Sequence, residues 1–112
     1  MRVWMPLLLA ASVIGGCVAP PTSEKQLQAR QAAAAEYVAR NCAAYLGGFS
    51  DVRELRQAAN QRIATARGLG ATDAEIQTAR QEVETSMVTM AAFTSQQEAC
   101  NFLIGELAWS MG

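Results

Sequence analysis

Histidine is absent from the 112-residue sequence. That omission removes imidazole bases, His-activated nucleophiles, His-bearing metal sites and His-ligated haem. A surplus of charge is missing too, since nine Lys and Arg stand against ten Asp and Glu. Nucleic acid, whose phosphates demand an excess of cations on one face, therefore finds no electrostatic footprint here. No Cys-x-x-Cys pair offers thioredoxin-like redox chemistry, and no Gly-x-Ser-x-Gly elbow presents a serine nucleophile. The run Gly68-Leu69-Gly70-Ala71-Thr72 lacks the following lysine and preceding strand of a phosphate loop, so it reads as an interhelical turn. The chain is one domain's worth of polymer. These absences lead us to expect no enzyme, no cofactor, no metal and no small-molecule substrate.

What is present begins at the N-terminus. One positive charge, a short apolar segment and two glycines precede a cysteine in Met1-Arg2-Val3-Trp4-Met5-Pro6 through Ile14-Gly15-Gly16-Cys17, which is the grammar of an export signal. Pro6, Gly15, Gly16, Pro20 and Pro21 argue against an uncleaved membrane-spanning helix. Ile14-Gly15-Gly16-Cys17 resembles the lipobox of bacterial lipoproteins, in which the cysteine is lipidated and becomes the mature N-terminus. The resemblance implies a signal peptide over 1–16, a lipid anchor on Cys17 and attachment to a membrane. One acyl chain holds a protein only marginally, so several chains on one cysteine make the attachment durable. An Asp after that cysteine resembles an inner-membrane retention signal in lipoproteins of diderm bacteria. Val18 stands there instead, which implies the outer membrane, facing the periplasm. Residues 17–22 form the anchor and a tether, whose Val18-Ala19-Pro20-Pro21-Thr22 reaches roughly 15 Å at about 3.1 Å per residue.

Setting Cys17 aside leaves Cys42 and Cys100, an even pair in an exported, oxidising compartment. A disulfide between them is the expected reading.

The body, 23–112, reads as helices, because apolar residues recur at three and four and no segment alternates as a strand requires. Ser23 with Gln26 opens a first helix carrying Leu27, Ala34, Val38, Cys42, Tyr45 and Leu46, ended by Gly47-Gly48. Asp51 with Glu54 opens a second, presenting Val52, Leu55, Ala59, Ile63 and Ala66 and stopping at Gly68. Thr72 with Glu75 opens a third, bearing Ile76, Ala79, Val83, Met87 and Met90. Near Ser95 the pattern either continues or restarts. An uninterrupted third helix would set Cys42 and Cys100 roughly 13 Å apart along parallel axes, whereas a disulfide needs Cα atoms within about 7 Å. The expectation is an all-α, up-down-up-down four-helix bundle stapled by one disulfide, with three helices and a long C-terminal one as the alternative.

Arginines dominate the second helix and acids the third, which suggests that the two pair as antiparallel neighbours. Arg53, Arg56 and Arg67 fall within about 60° of one another on a helical wheel. Pairing with the third helix is the expected use of this stripe, and anionic headgroups are the other one. Asp51 with Glu54 reads as a cap rather than an acid and base couple, and Glu82 and Glu84 point to different sides of a helix. On the last helix Cys100, Leu103, Ile104, Leu107 and Met111 make the expected core stripe, with Phe102 and Trp109 outward; the alternatives are that Trp109 folds back on the body or that the face is rotated. Exposed aromatics anchor interfaces because they bury large area at low entropy cost.

The function expected from these features is that of a membrane-anchored interaction or accessory protein of the cell envelope, docking a partner protein through Phe102 and Trp109. A small periplasmic chaperone is the alternative, since the single-disulfide helical build is loosely similar to acid-stress chaperones, although those are soluble. The long heptad-coil lipoproteins that bond to peptidoglycan through a terminal lysine are a poor match to a chain of short helices ending Trp109-Ser110-Met111-Gly112.

Overall fold

The computed structural model describes residues 23–48 and 50–111, with the side chains of 109–111 outside the description. The signal segment, Cys17 and the tether therefore lie outside the described residues. Four helices follow one another, α1 (Glu24–Asn41), α2 (Val52–Gly68), α3 (Asp73–Phe93) and α4 (Gln96–Met111), with a 3-10 turn at Ala43–Tyr45. Among the described residues there is no strand, and no helix is long and apolar enough to cross a membrane.

Each helix starts where a side chain takes up orphan backbone donors. Ser23 Oγ accepts from the Gln26 N–H at 3.4 Å. Asp51 and Glu54 form a reciprocal capping box, as do Thr72 and Glu75. Ser95 Oγ accepts from the Glu98 N–H at 3.1 Å, so the helical pattern does restart there, and the long C-terminal helix is excluded by the Thr94-Ser95 break. The helix ends were less legible. α1 stops at Asn41 and tightens into the 3-10 turn before Gly47, whose φ of +66° reverses the chain. α2 closes beyond Gly68: Gly70 has φ +102°, the Ala71 N–H donates to the Ala66 carbonyl at 2.9 Å, and the Gly70 N–H donates to that of Arg67 at 3.0 Å. These two bonds are the Schellman pattern, which needs a left-handed residue that glycine adopts without steric penalty.

α1 is the hub. Ala32, Ala33, Ala34, Ala35, Tyr37, Val38 and Ala39 are all buried, because α2, α3 and α4 each pack on a different side of it. A helix that is apolar on most of its circumference belongs in the interior, and alanine lets three neighbours approach closely. α2 lies antiparallel to α1, with Leu55 and Ala59 near Val38 and Ala66 near Ala29 and Ala33. α3 runs parallel to α1, tied by Lys25–Glu75 at 3.0 Å and Arg30–Glu82 at 3.1 Å. α4 returns antiparallel, burying Ala99, Cys100, Leu103 and Leu107.

The disulfide joins Cys42, at the end of α1, to Cys100, in the second turn of α4, with Cα atoms 5.5 Å apart. It bridges 58 positions, a loop whose closure stabilises by about 4 kcal/mol in the chain-entropy model. The result is an up-down-up-down bundle stapled at one end.

The opposite charge excesses of α2 and α3 do not pair those two helices along their length. Among the described residues Glu75 and Glu82 of α3 pair with Lys25 and Arg30 of α1, Arg80 of α3 pairs with Glu36 of α1, and the ion pair joining α2 to α3 is Arg67–Asp73 across their short turn. The reason is geometric: α1 separates α2 from α3 along most of their length, leaving a groove of about 560 Å³ floored by Glu36 and Ala59 and flanked by Asn60 and Gln81.

Candidate functional site

The carboxylates explain themselves structurally. Asp51 Oδ1 accepts the Glu54 N–H at 2.7 Å, while Glu54 Oε1 accepts the Asp51 N–H at 3.1 Å. Glu82 pairs with Arg30, and Glu84, two residues on, faces the α2–α3 groove instead. Glu75 accepts from the Thr72 N–H at 2.8 Å and pairs with Lys25. The Thr72 backbone bond, and then Lys25, hold the Glu75 carboxyl below its ordinary range. A general acid at neutral pH needs a shift in the other direction. Arg80 is pushed the way a structural cation goes, upward, because it donates to Glu36. Among the described residues no group of three or more His, Cys, Asp and Glu is placed to hold a metal.

The described cations differ in what they meet. Lys25, Arg30, Arg67 and Arg80 each meet an acid. Arg62 donates to the side-chain carbonyls of Gln28, at 3.0 Å, and Gln31. Arg53 and Arg56 are exposed and have no acidic partner among the described residues, so the stripe expected to pair with α3 contributes only Arg67 to that pairing. Arg40 is exposed as well, and its Nε donates to the Glu36 backbone carbonyl at 3.4 Å.

Phe102 is 52% exposed. It does not stand opposite the core, as the helical wheel suggested. The buried stripe of α4 is rotated toward Ala99, which brings Phe102 beside the α3–α4 seam. There it borders an apolar cleft of about 110 Å³ lined with Val83, Met87, Met90 and Leu103, and the Arg30–Glu82 pair sits at its edge. Sequence periodicity assigned those α3 residues to the core without showing that α4 leaves part of them uncovered. Trp109 lies in the last two turns of α4, but its side chain is outside the description, as is that of Met111. Three further large apolar residues stand out: Phe93, 85% exposed at the end of α3, Leu69, 48% exposed in the α2–α3 turn, and Val88, 59% exposed on α3. A lone leucine between two glycines was the available signal for the second.

No protein-family model matches the chain, and neither a curated protein nor a solved structure is significantly similar to it.

Proposed function

We propose that the protein is a lipid-anchored interaction or accessory protein of the cell envelope, held to the periplasmic face of the outer membrane through Cys17, with no catalytic role. The observation that carries this reading is the division of its cysteines. Cys42 and Cys100 are joined, so the one cysteine of the sequence left over is the one that follows Ile14-Gly15-Gly16. A bonded pair fits an oxidising compartment, and the thiol left over sits where lipoproteins carry their anchor.

The body then acts by presentation. Phe102, exposed beside an apolar cleft, is the kind of anchor that a partner's side chains bury. Trp109 follows on the same helix as a second contact.

Two measurements test the proposal. The native protein should begin at Cys17 and carry fatty-acyl chains by mass spectrometry, and Cys17→Ser should abolish lipid labelling and membrane retention. Photo-crosslinking from position 102 in intact envelopes should trap one defined partner, and Phe102→Ser should lose it while the helical circular dichroism persists. A native chain starting elsewhere, or without acyl groups, overturns the anchor.

A further inference from the structure

The chain leaves the described residues at one defined end of the bundle. Ser23 caps α1, and the Lys25–Glu75 pair ties the first turn of α1 to the first turn of α3. The α2–α3 turn, Leu69 to Thr72, belongs to the same end: Ala71 packs in one buried cluster with Ala29, Ala66 and Ile76. The disulfide marks the other end, at the far limit of the 18-residue α1, about 27 Å away at 1.5 Å per residue.

We propose that the α2–α3 turn, with Leu69 at its tip, rests on the same bilayer that anchors the chain, so that the bundle stands on this end. The inference depends on the lipid anchor proposed above. From Cys17 to Ser23 the backbone reaches at most about 20 Å even when fully extended. The α2–α3 end is therefore the one held nearest the surface.

Three features suit this end to a membrane interface. Leu69 offers an apolar side chain that is 48% exposed. The turn's donors are already used within the chain: the Leu69 N–H donates to the Thr65 carbonyl at 3.0 Å, the Gly70 N–H to that of Arg67 at 3.0 Å and the Ala71 N–H to that of Ala66 at 2.9 Å. Backbone that brings its hydrogen bonds with it can enter a poorly hydrated layer without stranding them. Most of the flanking charges are matched as well, Arg67 with Asp73 and Lys25 with Glu75, while the exposed Glu24 accepts from the Gln28 side-chain amide at 2.9 Å. One leucine would not hold a free protein on a bilayer. On an anchored chain the contact is intramolecular, with an effective concentration on the order of millimolar, so a small preference is enough to set orientation.

Exposed charged residues occur at both ends, Glu24, Arg67 and Asp73 at the α2–α3 end. Asp51, Glu54, Gln96, Gln97 and Glu98 are exposed at the opposite end, together with Phe93. Arg53 lies in the first turn of α2 at that end and Arg56 in the next, so in this pose they face away from the headgroups.

The test uses the mature lipoprotein, its acyl mass verified, in vesicles of phosphatidylethanolamine and phosphatidylglycerol. An introduced cysteine would be the one free thiol, with Cys17 acylated and the other two bonded. Gly68→Cys and Gly48→Cys mark the two ends at positions where an added Cβ meets nothing within 4 Å. Each carries a nitroxide read by its accessibility to oxygen and to a water-soluble nickel complex. The label at 68 should show a several-fold higher oxygen-to-nickel ratio than the label at 48, and Leu69→Glu in the Gly68→Cys protein should remove the difference. Equal ratios, shielding at both ends as from a bundle lying on its side, or shielding only at 48 would each overturn the pose while leaving the verified anchor intact. A mature protein without acyl chains would overturn both.

Discussion

Arg80 crosses from α3 to grip Glu36 on α1 with two prongs, Nε to Oε1 at 2.9 Å and Nη2 to Oε2 at 3.0 Å. The pair sits at the floor of the groove between α2 and α3, where those two helices would touch in a four-membered ring. Among the described residues it is one of three ion pairs joining α3 to the hub helix, with Lys25–Glu75 and Arg30–Glu82.

A double-mutant cycle with Glu36→Gln and Arg80→Gln should give a coupling of about 1 kcal/mol by urea denaturation. That is the upper end for an exposed pair, because the fork geometry is good but both side chains still meet water. Molar salt should cut the coupling by half or more. A cycle closing at zero would show that the register is set by packing alone.

Glu75 gives the fold a titratable joint. Its carboxyl is pulled below the ordinary 4.5 by the Thr72 N–H and by Lys25, so the ionised form is favoured by folding. The sign follows from proton counting: the unfolded chain binds the proton more tightly, so the contribution is complete above 4.5 and disappears as pH falls through the lower folded value. Melting temperatures of the native chain and of Glu75→Gln should differ at neutral pH and converge in acid. A constant gap across that range would mean that the carboxylate charge is irrelevant.

Replacing both Cys42 and Cys100 with alanine should lower stability by about 4 kcal/mol, a large part of what a small domain possesses. Both positions are fully buried, and alanine leaves no thiol behind. The variant's denaturation midpoint should match that of the reduced native chain. A loss under about 1 kcal/mol would show that the unfolded chain is already compact around this loop.

The hub makes a sharper demand on small residues. Ala35 is fully buried between helices, whereas Ala44 is exposed in the 3-10 turn. Ala35→Leu should destabilise by about 1–3 kcal/mol through overpacking, and Ala44→Leu should stay within about 0.5 kcal/mol of the parent. Equal effects would contradict the central position of α1.

Helix starts were readable because capping is local chemistry. Ser23, Asp51, Thr72 and Ser95 could each be named from three or four residues, and each one caps its helix. The cysteine spacing then decided between three and four helices. The arrangement around α1 was not readable in the same way. Alanine is apolar enough for the core and small enough for a surface, so Ala32 to Ala35 did not announce that three helices would close over them. The charge pattern named acids and bases correctly but not who meets whom, because long side chains on α1 reach α3 before those on α2 do. The helical wheel marked Phe102 as exposed but set it opposite the core rather than beside the α3–α4 seam. The cleft beside it depends on how far α4 is rotated, which periodicity alone does not fix.

The staple also decides how the molecule bears a load. A pull applied between the start of α1 and the end of α4 travels along α1 to Cys42, crosses to Cys100 and leaves through α4, so residues 43 to 99 are bypassed. α2 and α3 are shielded from stretching however hard a bound partner tugs, and extension stops once the two terminal helices have uncoiled. Reduction of that one bond would put the whole domain back in the line of force.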